Sequence, residues 1–119
     1  MAELRVVRHT DAFAEACRFY DELLGWPVTK HWDEPEPGRI FGYGDSARIE
    51  LIRIGSAPAV EGVFLSIEVD DVDALHDRLA AAGVVVHQAL ADQPWGHRNF
   101  AVTDPTGMVL VFFEDRAAR

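Results

Sequence analysis

Cysteine is nearly missing from this chain of 119 residues, and the one present, Cys17, has no partner for an internal disulfide. A lone thiol suits a reducing compartment, so a cytoplasmic protein is expected. Long apolar runs are also missing, which excludes a helical membrane protein and predicts no membrane partner. Met1-Ala2-Glu3-Leu4-Arg5 lacks the basic segment and apolar run of a secretory leader. Basic residues are scarce, 11 against 20 acidic ones, for a formal net charge of −9. That balance argues against nucleic acid, whose binding rests on phosphate neutralisation, and favours cations near the surface. Neither a Gly-x-Ser-x-Gly elbow nor a phosphate-cradling glycine loop occurs, and the five histidines lack HxxxH spacing. What remains is ordinary globular composition, 49% hydrophobic and 26% charged, in a length that suits one domain, 1–119.

The chain echoes itself at about half its length. Asp11 to Gly25 places Phe13, Cys17, Tyr20 and Leu24 on one helical face, and Gly25 with Pro27 ends the helix. Asp70 to Gly83 places Val72, Leu75, Leu79 and Ala82 on another, with Asp70 or Asp71 as cap and Gly83 as stop. Strand-like Leu4–Arg8 precedes the first helix, and Val28–Trp32, Arg39–Tyr43 and Arg48–Ile54 follow it. Val63–Val69 precedes the second, and Val84–Gln88, His97–Val102 and Met108–Phe113 follow it. The stretch Gly55-Ser56-Ala57-Pro58-Ala59 reads as the linker between module one, about residues 1–55, and module two, about residues 62–119. The fold expected is α+β: two βαβββ modules forming a curved, incomplete barrel with helices outside. Its inner face would be a cup, and closing such a cup predicts a homodimer.

These residues resemble the vicinal oxygen chelate superfamily, which includes glyoxalase I, ring-cleaving dioxygenases, and fosfomycin and bleomycin resistance proteins. Phe19-Tyr20-Asp21-Glu22-Leu23-Leu24-Gly25-Trp26 resembles its first helix ending. Pro94-Trp95-Gly96-His97-Arg98-Asn99-Phe100 with Asp104-Pro105-Thr106-Gly107 resembles its C-terminal hairpin and is most similar to the bleomycin resistance branch. The resemblance implies metal-ligand positions at Leu4, Glu50, Phe64 and Val111, of which only Glu50 is a donor. Catalytic zinc normally takes about three protein ligands. No metal and no other cofactor is therefore expected.

Strand alternation supplies a second reading of the cup. Phe64, Ser66 and Glu68 fall on the face away from the aliphatic set Leu65, Ile67 and Val69, and Glu50 falls opposite Ile49 and Leu51. Val111 and Phe113 are placed in the cup by the resemblance alone. Trp32, Phe41, Tyr43 and Trp95 are expected near its mouth, His97 at its rim, and Arg98 either there or bonded to the Asp104 turn. Aromatic walls with a few carboxylates suit an aromatic or cationic small-molecule ligand. The expectation is a metal-free protein that sequesters an antibiotic-like ligand without transforming it. The alternative is a metal-dependent lyase, isomerase or dioxygenase of the same superfamily with an unusual metal site.

Overall fold

One helix laid on one four-stranded sheet is the unit of construction, and it occurs twice. The computed structural model describes residues 2–55 and 60–116. The chain divides into two compact units, Met1–Ala59 and Val60–Arg119. Most of the linker foreseen from the sequence, residues 56–59, lies outside the described residues.

The first module contains β1 (Leu4–His9), α1 (Phe13–Arg18) with a π-helical turn at Phe19–Leu23, β2 (Val28–Trp32), β3 (Gly38–Tyr43) and β4 (Ala47–Ile52). Its sheet has the order β1-β4-β3-β2, with β1 parallel to β4 and the other pairs antiparallel. The second contains β5 (Phe64–Glu68), α2 (Val72–Ala81), β6 (Val86–Asp92), β7 (His97–Thr103) and β8 (Val109–Asp115). Its sheet repeats the pattern as β5-β8-β7-β6. The fold is therefore α+β with two βαβββ modules, as the repeat predicted.

Each core follows from alternation. In β8, Leu110 and Phe112 are buried beneath the helix, and Val111 and Phe113 point the other way. Phe100 of β7 pairs with Phe112 in register, and their rings lie 5.5 Å apart. Val72, Leu75 and Leu79 of α2 are buried at helical spacing. Asp71 caps this helix by accepting from the Ala74 N–H at 3.0 Å, and Glu114 of β8 accepts from the Val72 N–H at 3.2 Å. His76 of α2 is half-buried and sets its ring edge-on to Phe100 at 5.2 Å.

Two expectations are corrected at the helices. The face of α1 was read as Phe13, Cys17, Tyr20 and Leu24, but Ala16 and Phe19 are buried in it and Cys17 is only half-buried. Ala16, Phe19 and Tyr20 lie at regular helical spacing, and the π-helical turn that follows, in which the Leu24 N–H bonds Phe19 O, keeps Leu24 on the same buried face as expected. The chain then leaves through Gly25 at φ 73°, and Trp26 is buried against Tyr20 and Tyr43. In the second module Val84 belongs to the helix end, because its N–H bonds Leu79 O beyond left-handed Gly83. Strand β6 therefore starts later than Val84 and runs on to Asp92 through two register shifts.

Phe100 is fully buried between a helix and a neighbouring strand. Truncating it, Phe100→Ala, is expected to cost about 3–5 kcal/mol. Urea unfolding followed by circular dichroism should show the midpoint falling with an unchanged slope.

Candidate functional site

A helix covers only one face of each sheet, so the opposite face is where side chains stand free of the module's own core. Register assigns every residue to a face, because paired residues project to the same side.

In the second module the uncovered face carries Phe64, Ser66 and Glu68 from β5 and Val109, Val111, Phe113 and Asp115 from β8. From β7 it carries His97, Asn99, Ala101 and Thr103, and from β6 Gln88 and Ala91. Aromatic groups gather here. The His97 ring stacks on Phe113 at 4.3 Å between centroids and 8° between planes, and Trp95 meets His97 edge-on at 6.4 Å. Trp95 is 60% exposed and Phe64 59%. Beside His97 a depression of about 210 Å³ is lined also by Asp92, Gln93, Gly96 and Arg116.

In the first module the uncovered face carries Arg5, Val7 and His9 from β1 with Arg48, Glu50 and Ile52 from β4. Gly38, Ile40 and Gly42 of β3 share it. Trp32 lies across Gly38, where a Cβ would sit 2.2 Å from the indole, so only glycine admits the ring there. Glu50 does not stand alone. Its Oε1 accepts from Arg5 Nη1 at 2.9 Å, and Arg5 also pairs with Glu3, which in turn meets Arg48 Nε at 3.3 Å. The Arg5 guanidinium lowers the Glu3 carboxyl below its ordinary pKa, and Glu3 and Glu50 raise that of Arg5.

The expected site residues thus separate. Phe64, Glu68, Val111, Phe113 and His97 share one uncovered face, with Trp95 on the turn before β7. Glu50 and Trp32 share the other. Phe41 and Tyr43 turn to the covered face: Phe41 is 1% exposed against Tyr20, and Tyr43 stacks on Trp26 at 4.8 Å. They are two residues apart on one strand, so they share a face and serve the core. Arg98 also takes the covered face. Its Nε donates to Asp73 Oδ1 at 2.8 Å and its Nη1 to Asp92 Oδ1 at 3.2 Å, tying α2 to the β6–β7 hairpin. It does not bond the Asp104 turn, whose carboxylate accepts from the N–H groups of Thr106 and Met108.

The metal positions implied by the resemblance do not fit a metal here. Leu4 pairs with Ala47 and faces away from Glu50, whose register partner is Val7. Phe64 and Val111 offer carbon only, and Glu50 is engaged by a guanidinium. Among the described residues, no three His, Cys, Asp or Glu side chains come together to hold an ion. Cys17 is no better as a nucleophile, because burial pushes its thiol pKa up. Sequence reasoning assigned no part to Arg5, Gln88, Gln93 or Asn99. Counting by twos from His97 reaches Asn99, so that signal was available; the amide pairs were not.

Paired modules of this kind define a class of small α+β proteins. This chain belongs to the Glyoxalase/Bleomycin resistance protein/Dioxygenase superfamily, whose profile matches residues 4–112. It is similar in structure to TnmS3, an antibiotic binding protein from Streptomyces sp. CB03234, with TM-score 0.76, 22% identity, and coverage of 95% of this chain and 94% of that one. TioX from Micromonospora sp. ML1 gives TM-score 0.74 at 22% identity, covering 94% and 97%. Lactoylglutathione lyase from Agrobacterium tumefaciens gives TM-score 0.73 at 20% identity, covering 95% and 92%. Identities at this level carry the fold alone. No curated protein matches the sequence.

The Arg98 pair yields a pH test. The Arg98 hydrogen bond holds the Asp73 carboxyl below its ordinary value. Its contribution to stability is therefore present above the unfolded carboxylate pKa of about 3.9 and fades as pH falls through the lower native value. Asp73→Asn should be less stable than the parent near neutrality, and the gap should close on acidification below about pH 4. Urea midpoints measured across that range check it.

Proposed function

We propose that this protein binds a small molecule and releases it chemically unchanged, as the antibiotic-sequestering members of its family do. The ligand class is aromatic or cationic, the binding surface is the uncovered sheet face, and no metal takes part. The observation that carries this reading is the aromatic group of Trp95, His97 and Phe113 at the second module's uncovered face, with Phe64 exposed farther along the same face. Aromatic faces gain from stacking on flat rings, at about 0.5–1.5 kcal/mol per pair beyond area burial. Glu68 and Asp115 stand on the same face, and a net charge of −9 draws cations toward it. The antibiotic binding described for TnmS3 agrees with this reading.

The acting form is proposed to be a homodimer in the cytoplasm, with the cup at the interface between copies. Val7 on the first module's uncovered face and Phe64 on the second's, both exposed, are apolar surface on which a second copy could rest. Among the described residues, no helix is long and apolar enough to cross a membrane.

Titration of a panel of aromatic and cationic antibiotics, bleomycin included, tests the proposal by tryptophan fluorescence and calorimetry. At least one compound should bind stoichiometrically and be recovered intact. Phe113→Ala should weaken its binding by about 2–12-fold, the stacking term expressed as affinity. Absence of binding across the panel, or conversion of a bound compound into product, overturns the reading.

A further inference from the structure

The depression beside His97 has spent most of its hydrogen-bond donors. The backbone N–H of Gln93 goes to His97 O at 2.7 Å, that of Gly96 to Gln93 O at 3.1 Å, and that of Arg116 to Gly96 O at 2.9 Å. The Arg116 side chain is committed as well. Its Nε donates to Glu114 Oε2 at 2.8 Å and its Nη2 to Asp73 Oδ2 at 3.4 Å, and its Nη1 lies 3.7 Å from Asp92 Oδ1. Gln93 Nε2 donates to Asn99. An anion entering here would have to take Arg116 from the carboxylates that already hold it.

Acceptors are left over. Arg98 and Arg116 both meet Asp92 at Oδ1, and Oδ2 of this exposed carboxylate has no hydrogen bond among the described residues. Gln93 is bonded through its side-chain nitrogen, so Oε1 is spare. The His97 ring is held against Phe113 with 8° between planes, and neither ring nitrogen has a hydrogen-bond partner among the described residues. A neutral imidazole offers one lone pair. A carboxylate, an amide and an imidazole thus line one space of about 210 Å³ with an acceptor each to spare. That space suits the head of a ligand and is too small for a whole drug-sized molecule. Trp95, next in sequence to the lining Gly96, stands exposed beside it.

We infer that this depression is a subsite for a primary ammonium group, carried by a ligand whose aromatic body lies against Trp95. The inference deepens the ligand-binding reading and rests on it. The three N–H donors of the ammonium answer the spare acceptors of Asp92, Gln93 and His97, and its charge is met by the Asp92 carboxylate. A quaternary ammonium has the same charge but no N–H, so it leaves those acceptors desolvated and unpaired. A divalent metal ion would have to share Asp92 with two guanidinium groups, and like-charge repulsion grows with the charge of the ion.

Three probes with one ring system test this: naphthylmethylammonium, its N,N,N-trimethyl analogue, and the neutral naphthylmethanol. In calorimetry the native protein should bind the primary ammonium about 10-fold more tightly than the trimethylammonium. His97→Phe keeps a ring to stack on Phe113 and removes both ring nitrogens. In that variant the preference for the primary ammonium should shrink by about 2–12-fold, the worth of one hydrogen bond; a clash of the methyl groups alone would leave it undiminished. Asp92→Asn should weaken both cations and spare the alcohol, because it removes the charge that both of them meet. Zinc ions should not displace the ammonium. Thermal melts confirm that each variant is folded, and the native probe ratio stands independently of both. Equal binding of the two cations by the native protein, an undiminished preference in His97→Phe, or displacement by zinc overturns the inference and leaves the broader reading standing. Failure of both cations to bind also overturns it, and the antibiotic panel then decides the broader reading separately.

Discussion

A four-stranded sheet has two faces, and each module supplies one helix to cover only one of them. That shortfall governs the rest. On the covered side alternation delivers Leu110, Phe112, Phe100 and Val102 in the second module, and Ile49, Leu51 and Phe41 in the first, all buried. On the other side the same strands must present what a helix would otherwise hide. A sheet face bearing Phe64, Phe113 and a stacked histidine is costly in water, and the cost falls when a flat apolar body covers it.

The two modules use their uncovered faces differently. In the first, charge dominates: Glu3, Arg5, Arg48 and Glu50 form a continuous run of ion pairs across β1 and β4. Partly exposed pairs of this sort add little stability. Their effect is chemical, since a guanidinium already holds one carboxylate oxygen of Glu50. In the second, the ions lie on the covered side and at the hairpin, where Arg98 and Arg116 join Asp73, Asp92 and Glu114. Its uncovered face carries rings, amides and small residues, with Glu68 and Asp115 among them. Superfamily membership spans enzymes and binders alike, so chemistry must be argued from side chains and not from the fold.

Much of the fold was legible because period and punctuation agree. Val28–Trp32 reads as a strand from its own composition and is one. Gly83 ends α2 as its left-handed φ requires. The face of Phe64, Ser66 and Glu68 follows from alternation against Leu65 and Ile67. Errors came at the margins of these patterns. The buried face of α1 runs through Ala16 and Phe19 as well as Tyr20 and Leu24, with Cys17 at its edge, and β6 continues past Gln88 through two register shifts. Phe41 and Tyr43 were drawn toward the mouth because large aromatic side chains look alike whether they line a pocket or fill a core.

What the amino-acid order determined unaided is the twofold βαβββ plan, the ends of its helices and the alternation that divides Phe113 from Phe112. These depend on neighbours within a few residues, where sterics and hydropathy act alone. Tertiary structure decided which partners the charged and amide groups found. Arg5 meets Glu50 across 45 positions, Arg98 meets Asp73 across 25, and Asn99 is gripped by Gln88 and Gln93 on one side only. Hydrogen bonds are directional and short, so their pairing waits on the folded backbone that brings distant residues within 3 Å or so.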